Sequence, residues 1–283
     1  MKRTFSLLLF VGWIGMSAFP ADSTAPDGSV PFKLYRGHLI AARCSIGGLQ
    51  NLIAIIDTGT SETVLDLAVA QKLGLSATPD VATFVTHNAR VWAVTIPELQ
   101  LGRVRVERLD GIAADLSSLT TELGIRPQVL IGMDVLHRAN FVIDYQGRKL
   151  VFGEVAPMAH SARLLLGDPS SRLAVIESTM MRKPLRLQVD SGFEGVLLYR
   201  GRMAAGESQI HESRIVNVAQ TLLAHTLPAA DFNIGDWHSP SGKLTVVDQA
   251  PPESAEFDGL IGTAFLSQRR VAFDFQHGMI YWE

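Results

Sequence analysis

A single cysteine, Cys44, stands among 283 residues, which excludes an intramolecular disulfide and a cysteine-rich zinc site. The fold therefore has to hold by packing. Charge is sparse as well: 25 Lys+Arg against 28 Asp+Glu gives a formal net charge of −3, with 19% of residues charged. Without a clustered basic surface there is no electrostatic case for a nucleic-acid partner. The eight histidines (His38, His87, His137, His160, His211, His225, His238 and His277) are scattered, with no His-Glu-x-x-His or other ligand spacing. They read as surface or turn residues, and neither a metal nor a cofactor is expected. No Gly-x-Ser-x-Gly elbow occurs, which disfavours a serine hydrolase. Ser241-Gly242-Lys243 lacks the upstream Gly and the following Ser/Thr of a phosphate loop. What is abundant is apolar material: 47% of residues, enough for a full core and incompatible with wholesale disorder. The length allows one large domain or two of roughly 100–150 residues.

Lys2 and Arg3 precede an apolar run from Phe5 to Phe19. A basic start followed by a run shorter than the ~20 residues of a membrane span reads as a secretory signal peptide over residues 1–21. Cutting after Ala21 leaves Phe19 at the −3 position, where a small residue is preferred, so an uncleaved anchor is the alternative reading. Membrane contact is expected only in that case. No cysteine sits near the end of the run, which argues against a lipoprotein. Residues 22–29, rich in Ser, Pro, Asp and Gly, read as a flexible leader, and the folded part is expected in the periplasm or secreted.

Beyond the leader the chain echoes itself. Leu52-Ile53-Ala54-Ile55-Ile56-Asp57-Thr58-Gly59 is matched by Leu185-Arg186-Leu187-Gln188-Val189-Asp190-Ser191-Gly192, and Glu98-Leu99-Gln100-Leu101-Gly102 by Asp231-Phe232-Asn233-Ile234-Gly235, both at an offset of 133. Leu130-Ile131-Gly132 meets Leu260-Ile261-Gly262, and Asp144 meets Asp274, at an offset of 130. Four landmarks in one order imply two homologous halves, 30–154 and 163–283, joined by a linker at 155–162. Short runs rich in Val, Ile and Leu, broken by Gly, Pro and Asn, give each half a β texture. Gln146-Gly147 and His277-Gly278 read as hairpin turns in which Gly supplies positive φ. Helices are expected only at Met133–Arg138, Thr263–Gln268 and Asp66–Leu73. Asp144 and Asp274 each precede a turn, and turn chemistry accounts for them.

An Asp ending an apolar strand, followed by a hydroxyl residue and Gly, has a definite use. The strand delivers the carboxylate to the edge of the core, and the Gly lets backbone N–H groups approach its oxygens. The Thr or Ser hydroxyl can bind the backbone of a partner loop. A lone Asp-Ser/Thr-Gly turns up in about one chain in ten of this length and then marks only a turn. Two copies at equivalent places, each followed by Leu-Ile-Gly, point instead to two carboxylates side by side. Such a pair cannot ionise twice cheaply, so it holds one proton: one member serves as a base for water and the other as an acid for a carbonyl.

At these residues the chain resembles the retropepsin-like and pepsin-like aspartic proteases. Ile55-Ile56-Asp57-Thr58-Gly59-Thr60-Ser61-Glu62-Thr63-Val64-Leu65 is similar to the family's catalytic strand and loop, and both Leu-Ile-Gly segments to the stretch that crosses behind it. The resemblance covers both halves. It implies an all-β fold of two acid-protease-type β-barrel lobes related by a pseudo-two-fold axis, with few short helices. It implies that Asp57 and Asp190 form the catalytic dyad, with Thr58 and Ser191 as interlocking hydroxyls and Gly59, Thr60, Gly192 and Phe193 supporting the loops. A flap hairpin is expected near Phe84–Trp92, with Thr86-His87-Asn88-Ala89 at its tip and Trp92 or His87 capping the cleft. Its second-half counterpart is expected near Val218–His225. The Asp190-Ser191-Gly192-Phe193 loop resembles a microbial branch of the superfamily. There Phe193 cannot donate to a carboxylate as Thr60 is expected to, a loss that predicts an activity optimum at mildly acid to neutral pH.

The implied activity is hydrolysis of peptide bonds in a peptide or protein substrate, with a monomer sufficient because both loops lie in one chain. Two other readings stand beside it. Phe193 and the unremarkable flap motivate a catalytically weak or inactive protein that keeps the cleft to bind peptides or a secreted partner. A two-carboxylate glycosidase would need its carboxyls about 5 Å or more apart, which the short symmetric loops oppose.

Overall fold

The computed structural model describes residues 28–84, 87–166, 172–180, 183–199, 211–216, 221–229, 232–239, 242–247 and 257–283, together with 4–5 and 9–10. The fold is all-β. In the first half the strands are β1 (Val30–Tyr35), β2 (Leu39–Ile46), β3 (Leu49–Ile56), β4 (Val64–Asp66), β5 (Thr78–Phe84), β6 (His87–Leu101), β7 (Val104–Ala114), β8 (Val129–Ile131), β9 (Phe141–Asp144) and β10 (Lys149–Phe152). In the second half they are β11 (His160–Leu166), β12 (Ala174–Met180), β13 (Lys183–Asp190), β14 (Val196–Tyr199), β15 (His211–Val216), β16 (Thr221–Ala229), β17 (Phe232–Ile234), β18 (Trp237–Ser239), β19 (Gly242–Val247), β20 (Gly259–Gly262), β21 (Arg270–Asp274) and β22 (Met279–Trp282).

Four short helices punctuate them: α1 (Leu67–Lys72), α2 (Ser117–Leu123), α3 (Met133–Leu136) and α4 (Thr263–Leu266). Among the described residues no helix is long and apolar enough to cross a membrane. The helices expected from sequence are present in shortened form, and Asp66 serves as the N-cap of α1, accepting from Ala68 N at 3.1 Å. Helix α2 was not expected; its stop is Gly124 in the left-handed region at φ 66°.

Each half delivers its Asp by the same wiring. Strand β3 runs parallel to β8, with Ala54↔Val129, Leu130↔Ile55 and Ile131↔Ile56 in register. Strand β13 runs parallel to β20, with Leu187↔Gly259 through Asp190↔Gly262. The chain leaving each Asp loop returns antiparallel on the other side of that strand, β4 against β8 and β14 against β20. The delivering strands lie inside the protein: Ala54, Ile55, Ile56, Leu187 and Val189 are all fully buried. Strand β3 meets this with the near-continuous apolar run Leu52–Ile56, whereas β13 alternates, with Arg186 and Gln188 between Leu185, Leu187 and Val189.

The halves also share a sheet, in the order β1–β10–β9–β21–β22–β11. At its centre β9 and β21 pair antiparallel, with Phe141↔Phe273, Val142↔Ala272 and Ile143↔Val271. An offset of 130 residues maps this register onto itself. Phe141 and Phe273 stack there with ring centroids 4.6 Å apart, and both are fully buried.

Two boundaries differ from expectation. Irregular chain is confined to 153–159, because His160–Ala162 already pair with β22 instead of extending the linker. In the turn after β9 the positive φ falls on Arg148 (53°), whereas in the turn after β21 it falls on Gly278 (62°). Gly147 instead lies against the turn carboxylate: its N–H donates to Asp144 Oδ1, and a Cβ there would sit 2.5 Å from Asp144 Oδ2, so a side chain would displace the carboxylate.

Candidate active site

Asp57 follows β3 directly and Asp190 ends β13; both carboxyl groups are fully buried, and each biases the charge of the other. Each is held by the glycine two residues on. Gly59 N donates to Asp57 Oδ1 at 2.8 Å, and Gly192 N to Asp190 Oδ1 at 2.7 Å. The Oδ2 atom of each has no protein donor among the described residues. The approach is so close that a Cβ on Gly59 would lie 2.4 Å from Asp190 Cγ. Glycine at position 59 is therefore a condition for the two loops to meet.

The hydroxyl residues lock the loops together. Thr58 Oγ1 donates to Val189 O at 3.0 Å and accepts from Ser191 N at 2.9 Å. Ser191 Oγ donates to Ile56 O at 2.8 Å and accepts from Thr58 N at 3.0 Å. Four buried hydrogen bonds thus cross between the halves in two reciprocal pairs, with every donor and acceptor satisfied.

Behind each loop passes a Leu-Ile-Gly segment with no room for a side chain. A Cβ on Gly132 would meet the Glu62 carbonyl at 2.8 Å, and one on Gly262 would meet the Phe193 carbonyl at 2.2 Å. Main-chain bonds seal both crossings, Met133 N to Thr60 O at 2.9 Å and Gly262 N to Gly195 O at 2.7 Å.

Electrostatically the pair is far from two surface carboxylates. Burial pushes Asp57 up to about 7, against the lowering effects of the Gly59 N–H and of a hydrogen bond with Asp190. Burial first, and then the neighbouring Asp57 charge, raise Asp190 well above the usual range. Such a pair retains a proton through the acid range and can present one acidic and one basic oxygen at once. Among the described residues no group of three or more His, Cys, Asp or Glu could hold a metal ion.

Several expectations need correction. Thr60 does not donate to a carboxylate: its hydroxyl donates to Glu62 O at 3.2 Å, within its own loop. Phe193 is 1% exposed and serves as packing. Neither carboxyl thus receives a hydroxyl from the residue after its Gly, and burial accounts for the raised values instead. The hairpin predicted as a flap is formed by β5 and β6, paired from Thr78↔Ala93 to Phe84↔His87. The reversal lies between Phe84 and His87, so His87, Asn88 and Ala89 stand in a strand and not at the tip; Thr86 lies outside the described residues. Trp92, half-buried, packs against the main core. In the second half β15 and β16 pair with Val216↔Thr221, so Thr221–His225 are strand, and Val218 lies outside the described residues.

Three site residues escaped the sequence reading. Asp134, 3% exposed, accepts from Thr63 N and Thr63 Oγ1, both at 2.8 Å, bracing the back of the first loop; burial raises it to about 6. Gln188 Nε2 donates to Gly59 O at 2.7 Å from the opposite half. His38, 1% exposed, binds Arg36 O through Nδ1 at 3.1 Å, with the Gly192 backbone and the Glu194 carboxylate close enough to bias its charge. Only Asp134 carried a local signal, a carboxylate one residue into α3 immediately after Leu-Ile-Gly and Met133.

Comparison of the whole chain with curated proteins gives no match. Residues 42–135 match the aspartyl protease family model. The matched stretch begins in β2, contains Asp57-Thr58-Gly59, the β5–β6 hairpin and Leu130-Ile131-Gly132, and ends in α3. It supports an aspartic-protease-type domain in the first half of the chain.

Proposed function

We propose that this protein is an aspartic endopeptidase in which Asp57 and Asp190 act as one catalytic unit. The observation that carries the reading is two buried carboxyl groups from opposite halves, each pinned through Oδ1 by its own glycine, with Gly59 packed directly against the Asp190 carboxyl. In the singly protonated pair the ionised carboxylate takes a proton from water as its oxygen attacks the scissile carbonyl carbon. The protonated partner donates to the carbonyl oxygen as that oxygen gains charge. Collapse of the tetrahedral intermediate breaks the C–N bond, with a proton delivered to the leaving nitrogen. The reciprocal Thr58 and Ser191 bonds keep the carboxyls from separating as charge moves between them.

The self-mapping β9–β21 register and the matching wiring of β3–β8 and β13–β20 support a duplicated two-lobe organisation, in which one chain is sufficient for activity. The basic and apolar N-terminal segment supports export, with activity in the periplasm or outside the cell and an uncleaved anchor as the variant form.

The test is incubation of purified protein with a mixed peptide library from pH 3 to 8. Cleavage lost in both Asp57→Asn and Asp190→Asn, by about 10³-fold or more, supports the reading. Cleavage retained in either overturns it, and peptide binding without turnover in the wild type assigns the cleft to recognition instead.

A further inference from the structure

The two halves place different residues beside the dyad. Along a strand, residues two apart share a face, so Ile55 lies on the face of Asp57 and Gln188 on that of Asp190. Ile55 joins an apolar cluster with Val64, Ala82, Val91, Ile112 and Leu130. Gln188 is equally buried, at 0% exposure, but it is a carboxamide. An amide in that position is costly unless its hydrogen bonds are made. Its Nε2 meets the Gly59 carbonyl at 2.7 Å, across the boundary between the halves and 129 residues away in the chain. Gly59 is also the residue whose N–H pins Asp57 Oδ1 and whose Cα faces the Asp190 carboxyl too closely to carry a side chain.

We propose that Gln188 is a positioning residue of the dyad: by gripping the Gly59 carbonyl it restricts rotation about the Gly59 backbone, and so steadies the N–H on the preceding peptide unit that holds Asp57. This deepens the reading of a two-carboxylate site and rests on it. The contact is one-sided. The corresponding residue of the first half, Ile55, has no amide, so the first loop is gripped from the second half and is not gripping in return. Thr58 and Ser191 hold the loops by their hydroxyls, and Gln188 adds a link at the glycine itself, one residue further along.

The experiment compares wild type with Gln188→Leu and the isosteric Gln188→Glu, using the pH dependence of kcat and KM together with titration of the Asp57 carboxyl carbon by NMR, which needs no turnover. In Gln188→Leu the loosened Gly59 N–H shifts the Asp57 titration upward, and kcat falls about tenfold or more with KM within about twofold. Gln188→Glu keeps the donor only while protonated. It therefore behaves as wild type at acid pH and loses kcat as pH rises, giving an earlier alkaline limb. A purely space-filling role would leave Gln188→Glu without that new limb. Wild-type Asp57 titration in Gln188→Leu, or an unchanged alkaline limb in Gln188→Glu, overturns the proposal. Full hydrolysis by Asp57→Asn would instead remove the Asp57/Asp190 dyad reading, while the carbon titration in Gln188→Leu would still decide whether Gln188 positions Asp57.

Discussion

The loop after Asp57 and the loop after Asp190 reach the same geometry by different chemistry. The first is braced by polar contacts: Thr60 Oγ1 to Glu62 O, and Thr63 to the buried Asp134. The second carries Phe193, Glu194 and Gly195 along that stretch, and Ala264 where the first half has Asp134. Its support is a buried phenyl ring and the direct Gly262 N to Gly195 O bond at 2.7 Å. Yet the glycine N–H, the reciprocal hydroxyl and the crossing Leu-Ile-Gly segment are the same in both. What the site requires is therefore the position of the carboxyl and its N–H donor. The bracing behind them is free to be a carboxylate network or an apolar plug.

Replacing the plug is the most costly way to break that equivalence. Phe193→Ala removes a fully buried ring and is expected to destabilise the protein by about 3–5 kcal/mol in urea unfolding. Phe193→Leu, which refills most of the volume, is expected to recover the larger part. If Phe193→Ala costs under about 1 kcal/mol, the second loop is not held by packing.

The shared carboxyl pair comes next. Its folded-state values lie above the unfolded value of about 3.8, with Asp57 near 7. The contribution to stability is thus complete below about pH 4 and is lost as pH rises towards 7, where the unfolded chain releases protons that the fold retains. Unfolding free energies measured from pH 4 to 7 are expected to fall in the wild type, by on the order of 3 kcal/mol. The decline is expected to flatten in Asp57→Asn. A slope unchanged by that substitution would mean the pair is not the source. For the proposed peptidase, the same raised values lead to an expected hydrolysis optimum above pH 5.

The polar brace gives a smaller effect. Asp134→Ala leaves the Thr63 N–H and hydroxyl buried without an acceptor, expected to cost about 1–3 kcal/mol. The loss is expected to be greatest at low pH. Burial raises Asp134 to about 6, so its own contribution is present below 3.8 and declines as pH rises through 6. A cost that grows with pH over that window would place the stabilisation elsewhere.

Much of this site was legible because it is written locally. An apolar strand, Asp, a hydroxyl and Gly occupy consecutive positions, and two copies in register with Leu-Ile-Gly mark a pair. The all-β character followed from short Val/Ile/Leu runs and their turns. What could not be read is what depends on proximity across long separations. Gln188 is an ordinary strand residue until Gly59 is folded against it, and Thr63 has no visible partner until α3 brings Asp134 behind it. The hairpin tip was misplaced because a resemblance does not fix register: the ladder already pairs Phe84 with His87, which puts His87–Ala89 in the returning strand. The turn after β9 misled in a related way: Gly147 packs against the Asp144 carboxylate without positive φ, and Arg148 takes the left-handed conformation.

The smallest expected effect concerns a first-half histidine buried beside the second loop. His38 follows the tight Arg36-Gly37 reversal between β1 and β2, where both residues have positive φ, and its ring is buried near the Gly192 backbone and Glu194. Burial lowers its pKa below 6.5, outweighing the Arg36 carbonyl and the Glu194 charge, which favour protonation, while the Arg36 charge adds to the lowering. The sign is therefore opposite to that of the carboxyls. Stability from the neutral ring is present above about 6.5 and declines as pH falls, because the unfolded chain takes up a proton that the fold resists. In the wild type this loss is hidden beneath the larger gain from Asp57 and Asp190 over the same range. The difference between His38→Gln and wild type isolates it: the substitution is expected to cost more at pH 7.5 than at pH 5 in paired urea titrations. A cost independent of pH would show that the ring acts at the second loop by its shape alone.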